Sequence, residues 1–124
     1  MSLATALFFL PALAAADVKS ATKRAKAGKL DATTEVQCAQ EVGEALKPCG
    51  AAVARHGDAA AVVVTFPNEF KRTLMFESGA FLRGNTTMSG VGTDNEWTLT
   101  DGTYRIRVDD QQFEMPEAFV TGPD

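Results

Sequence analysis

The two cysteines of this chain, Cys38 and Cys49, are the side chains whose chemistry is clearest. Their separation of eleven positions does not fit the C-x-x-C spacing of thiol oxidoreductases. A zinc site would need further thiolate or imidazole ligands, and the sequence contains a single histidine. In an exported protein an even pair of cysteines predicts a disulfide, and closing a loop of this length stabilises a fold by about 2–3 kcal/mol.

A catalytic triad can be drawn from His56, Asp58 and either Ser78 or Ser89, the residue types that activate a serine nucleophile. Neither serine lies in the G-x-S-x-G pattern that places a nucleophile on a strand-to-helix turn. The segment 55–58 has the composition of a turn, which favours an exposed loop histidine. No catalytic residue is therefore assigned, and a small periplasmic hydrolase remains only an alternative hypothesis.

Two acidic clusters, Asp94-Asn95-Glu96 and Asp109-Asp110, offer oxygen atoms of the kind that bind calcium. Neither has the D-x-[DN]-x-[DN]-G spacing of a calcium-binding loop. Acidic residues at strand ends more commonly form turns and contact solvent. The sequence therefore predicts no metal site and no cofactor.

The segment 86–94 is a loop rich in glycine, serine and threonine. Loops of this kind present contacts to a partner when a rigid β-scaffold holds their ends. The segment lacks the G-x-x-x-x-G-K-[ST] pattern, so phosphate binding is not indicated. The predicted binding residues are Met88, Ser89, Gly90, Val91, Gly92, Thr93 and Asp94.

Short runs with β-strand character must position this loop. They cover residues 60–66, 72–76, 80–83, 96–100, 103–108 and 112–115. Asp101-Gly102 between two of them is a strong hairpin signal. The run 103–108 has apolar residues at its even positions and arginines at 105 and 107, as expected of a strand with one buried face. The aromatic side chains, Trp97 included, are expected in the core. The predicted fold class is mainly all-β: a small antiparallel meander, barrel or sandwich of about 6–8 strands.

The segment 31–47 allows two interpretations. Thr34-x-x-Gln37 is a possible capping box for a short helix near 34–46, which Pro48 would end. The favoured alternative is a hairpin with strands near 36–40 and 51–55, because Val36 is β-branched and glycine interrupts the helical run.

Residues 1–16 have the pattern of a secretory signal peptide. They run apolar from Leu3 to Leu13, contain no charged side chain and end in small residues. This stretch is too short for a membrane-spanning helix, which needs roughly 20 residues, so no transmembrane segment is expected in the mature chain. A flexible basic leader over 17–35 and a single β-rich domain over 36–124 are predicted to follow.

The predicted leader carries positive charge in a chain whose net charge is −4. Its cations are Lys19, Lys23, Arg24, Lys26 and Lys29. Few large apolar side chains accompany them, which favours a solvated tether, with attraction to an anionic envelope surface as a second hypothesis. The acidic balance of the whole chain argues against a nucleic-acid partner.

Three stretches resemble a group of small exported proteins from Gram-negative, mainly alphaproteobacterial, bacteria. They are the strings within 38–55, 65–79 and 106–118 that include Cys38…Cys49, Thr65-Phe66-Pro67 and Phe113-Glu114-x-Pro116. That resemblance implies export and a β-rich fold. Ser89-Gly90 followed by Trp97 is also similar to periplasmic lysozyme inhibitors of the small β-barrel type, which present a Ser-Gly loop before a tryptophan-bearing strand.

These observations predict an exported, non-catalytic binding module of the cell envelope, periplasmic or secreted. Its expected partner is a protein or another envelope component. The similarity to lysozyme inhibitors implies an alternative function, inhibition of a cell-wall hydrolase.

Overall fold

The computed structural model describes the backbone of residues 9–85 and 93–122, and the side chains of 16–85 and 93–122. These ranges contain eight strands and two helices. The elements are α1 Phe9–Lys26, β1 Ala32–Ala39, β2 Lys47–His56, β3 Ala59–Thr65, β4 Lys71–Glu77, β5 Ala80–Gly84, β6 Asn95–Thr100, β7 Thr103–Val108, β8 Gln111–Pro116 and α2 Glu117–Thr121. The predicted fold class, mainly all-β, is confirmed.

The strands form a single sheet in the order β5-β4-β3-β2-β1-β8-β7-β6, and all neighbours pair antiparallel. The sheet curls so that β5, at one end, contacts β6 and β7 at the other. The result is a nearly closed barrel. Within the described ranges no hydrogen-bonded ladder joins β5 to β6, and we call the line between these two strands the seam.

The β6–β7 hairpin follows the turn signal in the sequence. Asp101 and Gly102 both have positive φ, 52° and 75°, as the central residues of a type I′ turn require. The turn sets the register in which Trp97 lies opposite Ile106. Because side chains alternate along a strand, the apolar residues at even positions of β7 are buried, as predicted.

The barrel interior is filled by apolar side chains. They are Val36, Cys38, Cys49, Ala51, Val53, Ala60, Val62, Val64, Phe66, Leu74, Phe76, Phe81, Tyr104, Ile106, Val108, Phe113, Met115 and Val120. The Phe76 ring packs against two other rings, with centroid distances of 5.1 Å to Tyr104 and 5.5 Å to Phe81. Val120 comes from α2, which therefore covers one end of the barrel.

The structure differs from the flexible leader expected over 17–35. Residues 17–26 belong to α1, which packs on the outer face of β2, β3 and β4, and β1 already begins at Ala32. Val18 and Ala21 of α1 are buried against Ala61 and Met75. The helix can approach because the outward side chains of β3 are small, so a stripe of alanine and valine suffices to anchor it.

The favoured hairpin interpretation of 31–47 is confirmed, and the alternative, a short helix near 34–46, is wrong. β1 pairs with β2 on one side and with β8 on the other, and this pairing outweighs the local helix-capping signal. Cys38 and Cys49 form the predicted disulfide, with 6.0 Å between their Cα atoms. Both are buried, so the bridge ties β1 to β2 inside the barrel.

Candidate functional site

The predicted binding loop connects the two strands that border the seam. Met88, Ser89, Gly90, Val91 and Gly92 lie outside the described residues, whereas Thr93 and Asp94 lie within them. Asn85 and Asp94 mark the two ends of the connection that the structure describes on either side. Both ends are held by specific hydrogen bonds.

Asn85 is fixed to β4 through its backbone and its side chain. Its backbone N–H donates to the carbonyl of Thr73 at 2.8 Å, and its Oδ1 accepts from the Thr73 N–H at 2.8 Å. The guanidinium of Arg72 donates a third hydrogen bond, to the Asn85 carbonyl. This end of the loop therefore starts from a defined position on the barrel.

Arg72 is a charged side chain inside the barrel, with 3% of its surface exposed. Its Nε donates to Oε1 of Gln111 at 2.8 Å, which links β4 to β8. Burial lowers the pKa of the Arg72 guanidinium, and the negative charge of Asp109 opposes that shift. An arginine stays protonated in proteins, so the barrel holds a cation beneath the start of the loop.

Gly84, the last residue of β5, allows this close arrangement. A Cβ atom at this position would lie 2.9 Å from Cγ1 of Val108 and 3.3 Å from Cδ of Arg72. Any larger residue would therefore push β5 away from β7 and from the buried arginine. The glycine keeps the end of β5 close to the interior at the point where the loop departs.

Asp94 is fixed to the turn between β7 and β8. Its backbone N–H donates to Oδ1 of Asp109 at 2.9 Å, and its carbonyl accepts from the Asp109 N–H at 2.8 Å. Nη2 of Arg107 donates to Oδ2 of Asp94 at 3.2 Å, and Nε of the same arginine donates to Oε1 of Glu96 at 3.4 Å. The two described residues that flank this connection, Asn85 and Asp94, are thus both held in place on the barrel.

Three large apolar side chains are exposed on the strands that border the seam. Trp97 and Leu99 of β6 are 39% and 37% exposed, and Leu82 of β5 is 40% exposed. In register, Trp97 and Leu99 lie opposite the buried residues Ile106 and Tyr104, so they belong to the inward face. They are open to solvent because β6 ends the sheet. The expectation that Trp97 lies in the core is therefore wrong.

The residues of the hypothetical catalytic triad do not form a nucleophile–base pair in the described structure. The Ser78 N–H donates to the Asp58 carbonyl at 2.7 Å, but the Ser78 hydroxyl donates to Oε2 of Glu77 at 2.6 Å. Nε2 of the exposed His56 lies 3.9 Å from Oδ1 of Asp17. Ser89 lies outside the described residues.

The carboxylates of Asp94 and Glu96 accept hydrogen bonds from Arg107, and the carboxylate of Asp109 accepts one from the Asp94 backbone. Across 9–85 and 93–122, no three histidine, cysteine or carboxylate side chains converge in a way that could hold a metal ion. A recess of about 340 Å³ lies near α2 and is lined by Arg55 and Glu117. The guanidinium of Arg55 donates to the carbonyls of Phe119 and Val120, at 2.7 and 3.2 Å, so its hydrogen bonds hold the end of α2.

Arg72 is the site residue that sequence reasoning missed. The sequence did indicate its position, because Arg72 lies at an even position of β4, as do Leu74 and Phe76, and the even positions of this strand face the core. Its partners Asn85 and Gln111 are distant in sequence, and no local pattern connects the three.

The described residues form a small, disulfide-linked, barrel-like β-protein in which Asn85 and Asp94 are both fixed to the barrel. Comparison of the chain with models of known protein families, with curated proteins and with solved structures finds no match. Among the described helices, none combines the length and the apolar character needed to cross a bilayer.

Proposed function

We propose that this protein is an exported, non-catalytic binding module of the cell envelope, periplasmic or secreted, whose partner is a protein or another envelope component. Its binding site is the seam surface, defined as Trp97, Leu99 and the loop 88–94. The observation that carries this proposal is the exposure of Trp97 and Leu99 on a terminal strand whose outer edge has no partner in the described sheet, directly after the fixed residue Asp94.

The chemistry of the seam surface suits a partner with both apolar and backbone groups. Tryptophan is enriched among the residues that contribute most to protein–protein binding. The outer edge of β6 offers backbone N–H and C=O groups that no neighbouring strand takes up in the described sheet. A partner can therefore cover apolar side chains and pair with the backbone at the same place.

Export is supported by two independent features. The composition of residues 1–16 is that of a signal peptide. The buried Cys38–Cys49 disulfide is of the kind that persists in an oxidising compartment. Sequencing the amino terminus of the protein from its host tests export directly, and an unprocessed terminus with free thiols would contradict it.

The binding proposal is tested by affinity capture from an envelope extract with the full chain as bait. We expect Trp97→Ser/Leu99→Ser, or replacement of 88–94 by a Gly-Ser segment of equal length, to reduce capture of the parent's partners at least about tenfold. The matched control is Leu30→Ser/Val42→Ser, which removes two exposed apolar side chains outside the seam surface. Equal capture by the seam variants and the parent would contradict the proposal.

A second candidate function is inhibition of a cell-wall hydrolase. It is supported by the barrel-like fold and by Ser89-Gly90, which precedes the strand that carries Trp97. The test follows the loss of turbidity of a cell-wall suspension treated with several lysozymes. Inhibition at micromolar protein that disappears on loop replacement supports this function, and unchanged rates with every lysozyme argue against it.

A further inference from the structure

The solvent-facing side of α1 carries a stripe of lysines. Lys19, Lys23 and Lys26 follow one another at i, i+4 and i+7, which places them on one helix face, and all three are exposed. The opposite face, with Val18 and Ala21, packs on the sheet. The helix therefore presents its positive charges outward on a fixed scaffold rather than on a mobile tail.

These lysines have no carboxylate partner among the described residues. Arg24 of this helix pairs with Asp31 at 3.1 Å, and Oδ1 of Asp17 lies 3.9 Å from Nε2 of His56, so neither contact involves the lysine stripe. The helix dipole favours cations in the last turn and accounts for Lys23 and Lys26. It does not account for Lys19, two turns earlier, or for Lys29, beyond the helix end.

Charge is distributed unevenly around the barrel. α1 lies on β2, β3 and β4, whereas several acidic residues lie at the strands and turns of β6 and β7, which follow β1 and β8 in the sheet order. These acidic residues are Asp94, Glu96, Asp101, Asp109 and Asp110. In a curled eight-stranded sheet β3 and β7 lie on opposite sides, so these carboxylates lie away from the lysine stripe, and Arg105 and Arg107 of β7 offset part of their charge.

We propose that the lysine stripe of α1 docks the protein onto the anionic headgroups of a phospholipid bilayer. Each lysine near such a surface increases binding about fivefold, and attraction falls off within a Debye length. The carboxylates at β6 and β7 lie away from α1, so the bound protein turns its lysine stripe toward the bilayer. Because α1 covers β2, β3 and β4, docking through α1 leaves β6 accessible. The inference does not depend on the proposed function.

The test is cosedimentation of the full chain with vesicles. Vesicles containing about one-third phosphatidylglycerol in phosphatidylcholine probe the charge, and pure phosphatidylcholine vesicles measure whatever the apolar residues 3–13 contribute. We expect binding to the anionic vesicles to exceed binding to the neutral ones at about 0.1 M salt and to fall to the neutral level at about 1 M.

The decisive variant is Lys19→Gln/Lys23→Gln/Lys26→Gln. We expect it to lose roughly a hundredfold in affinity for the anionic vesicles and nothing for the neutral ones. The same three positions changed to arginine should retain binding.

The matched control removes three other cations, in Lys47→Gln/Arg83→Gln/Arg105→Gln, and produces the same net charge. Binding of this control near the parent level supports the proposal. An equal loss in the control, or unchanged binding of the helix variant, overturns it, because the effect would then follow net charge or apolar residues and not the stripe. Circular dichroism verifies that each variant retains its fold.

Discussion

Strands β3 and β6 belong to the same sheet but have opposite environments. β3, with the sequence AAAVVVT, is covered by the barrel interior on one face and by α1 on the other, and five of its seven residues are buried. β6, with the sequence NEWTLT, contains no buried residue although it carries the single tryptophan. Burial here follows position in the sheet rather than the size of the apolar side chains.

This difference separates the parts of the molecule that maintain the fold from the part available to a partner. The β2–β4 region, bounded by α1, provides most of the continuous packing on both faces of the sheet. β6 has one strand neighbour and leaves Trp97 partly uncovered. Substitutions on the two sides should therefore affect different properties, stability on one and binding on the other.

The largest expected effect comes from replacing a leucine by alanine in the packed β2–β4 region, and the same replacement on β6 is the comparison. Leu74→Ala, at a fully buried position of β4, should lower the free energy of unfolding by about 2–5 kcal/mol through lost burial and a cavity. Leu99→Ala on β6 should cost under about 1 kcal/mol, because the side chain is partly in water already. Urea denaturation measures both, and equal costs would remove the distinction between the two sides.

Removal of the disulfide tests how much the covalent link between β1 and β2 adds to the stability of the fold. Cys38→Ala/Cys49→Ala should lower the free energy of unfolding by about 3 kcal/mol, since the unfolded chain regains the freedom of the closed loop. Thermal unfolding with and without a reducing agent provides the control. The parent should lose stability on reduction, and the variant should not respond.

Replacement of the buried cation tests the anchoring of the loop. Arg72→Met should destabilise the protein by about 1–3 kcal/mol, because Oε1 of Gln111 and the Asn85 carbonyl lose their donor. Arg105→Met, at an exposed position of β7, is the matched control and should change stability by under about 0.5 kcal/mol. Chemical denaturation measures the stability of both variants. Adding Gln111→Leu to Arg72→Met should recover part of the lost stability.

The smallest expected effect concerns Asp31, which joins α1 to β2. Its Oδ2 accepts from the Arg55 backbone N–H at 2.7 Å and its Oδ1 from Arg24 at 3.1 Å, and these contacts lower the pKa of Asp31 below its usual 3.8. A lowered pKa stabilises the folded protein above the unfolded pKa and loses this effect as pH falls through the folded one. Because Asp31 is exposed and solvent screens its ion pair, Asp31→Asn should cost under about 1 kcal/mol at pH 7.

The pH dependence provides the check on that assignment. The stability difference between the parent and Asp31→Asn should stay constant from pH 7 to near the usual pKa of 3.8 and shrink below it. Denaturation curves at a series of pH values measure it. A difference that shrinks already between pH 7 and pH 5 would show that another group is responsible.

Local sequence patterns were sufficient for the hairpins and insufficient for the environment of each strand. Asp101-Gly102 and the alternation after it predicted β6, β7 and the buried face of β7, because turn type and side-chain period are local properties. The exposure of Trp97 could not be predicted, since it depends on which strands end the sheet. The packing of α1 was also missed, because alanine gives only a weak apolar stripe.

The candidate site was predictable only in its position along the chain. The composition of 88–94 indicated a loop, and the structure anchors the ends of that connection at Asn85 and Asp94. The anchoring contacts join residues far apart in sequence, including Arg72 with Gln111, and long-range pairs of this kind have no signature in a single sequence.

The connection between β5 and β6 joins the two ends of the sheet, so it is not a hairpin whose turn determines a register. Residues inserted or deleted between Asn85 and Asp94 shift no pair in any described ladder. Lengthening such a connection twofold adds only about 0.6 kcal/mol of closure entropy. This segment can therefore diverge in length while the barrel stays the same, a tolerance that the tight turns on either side of β7 do not share.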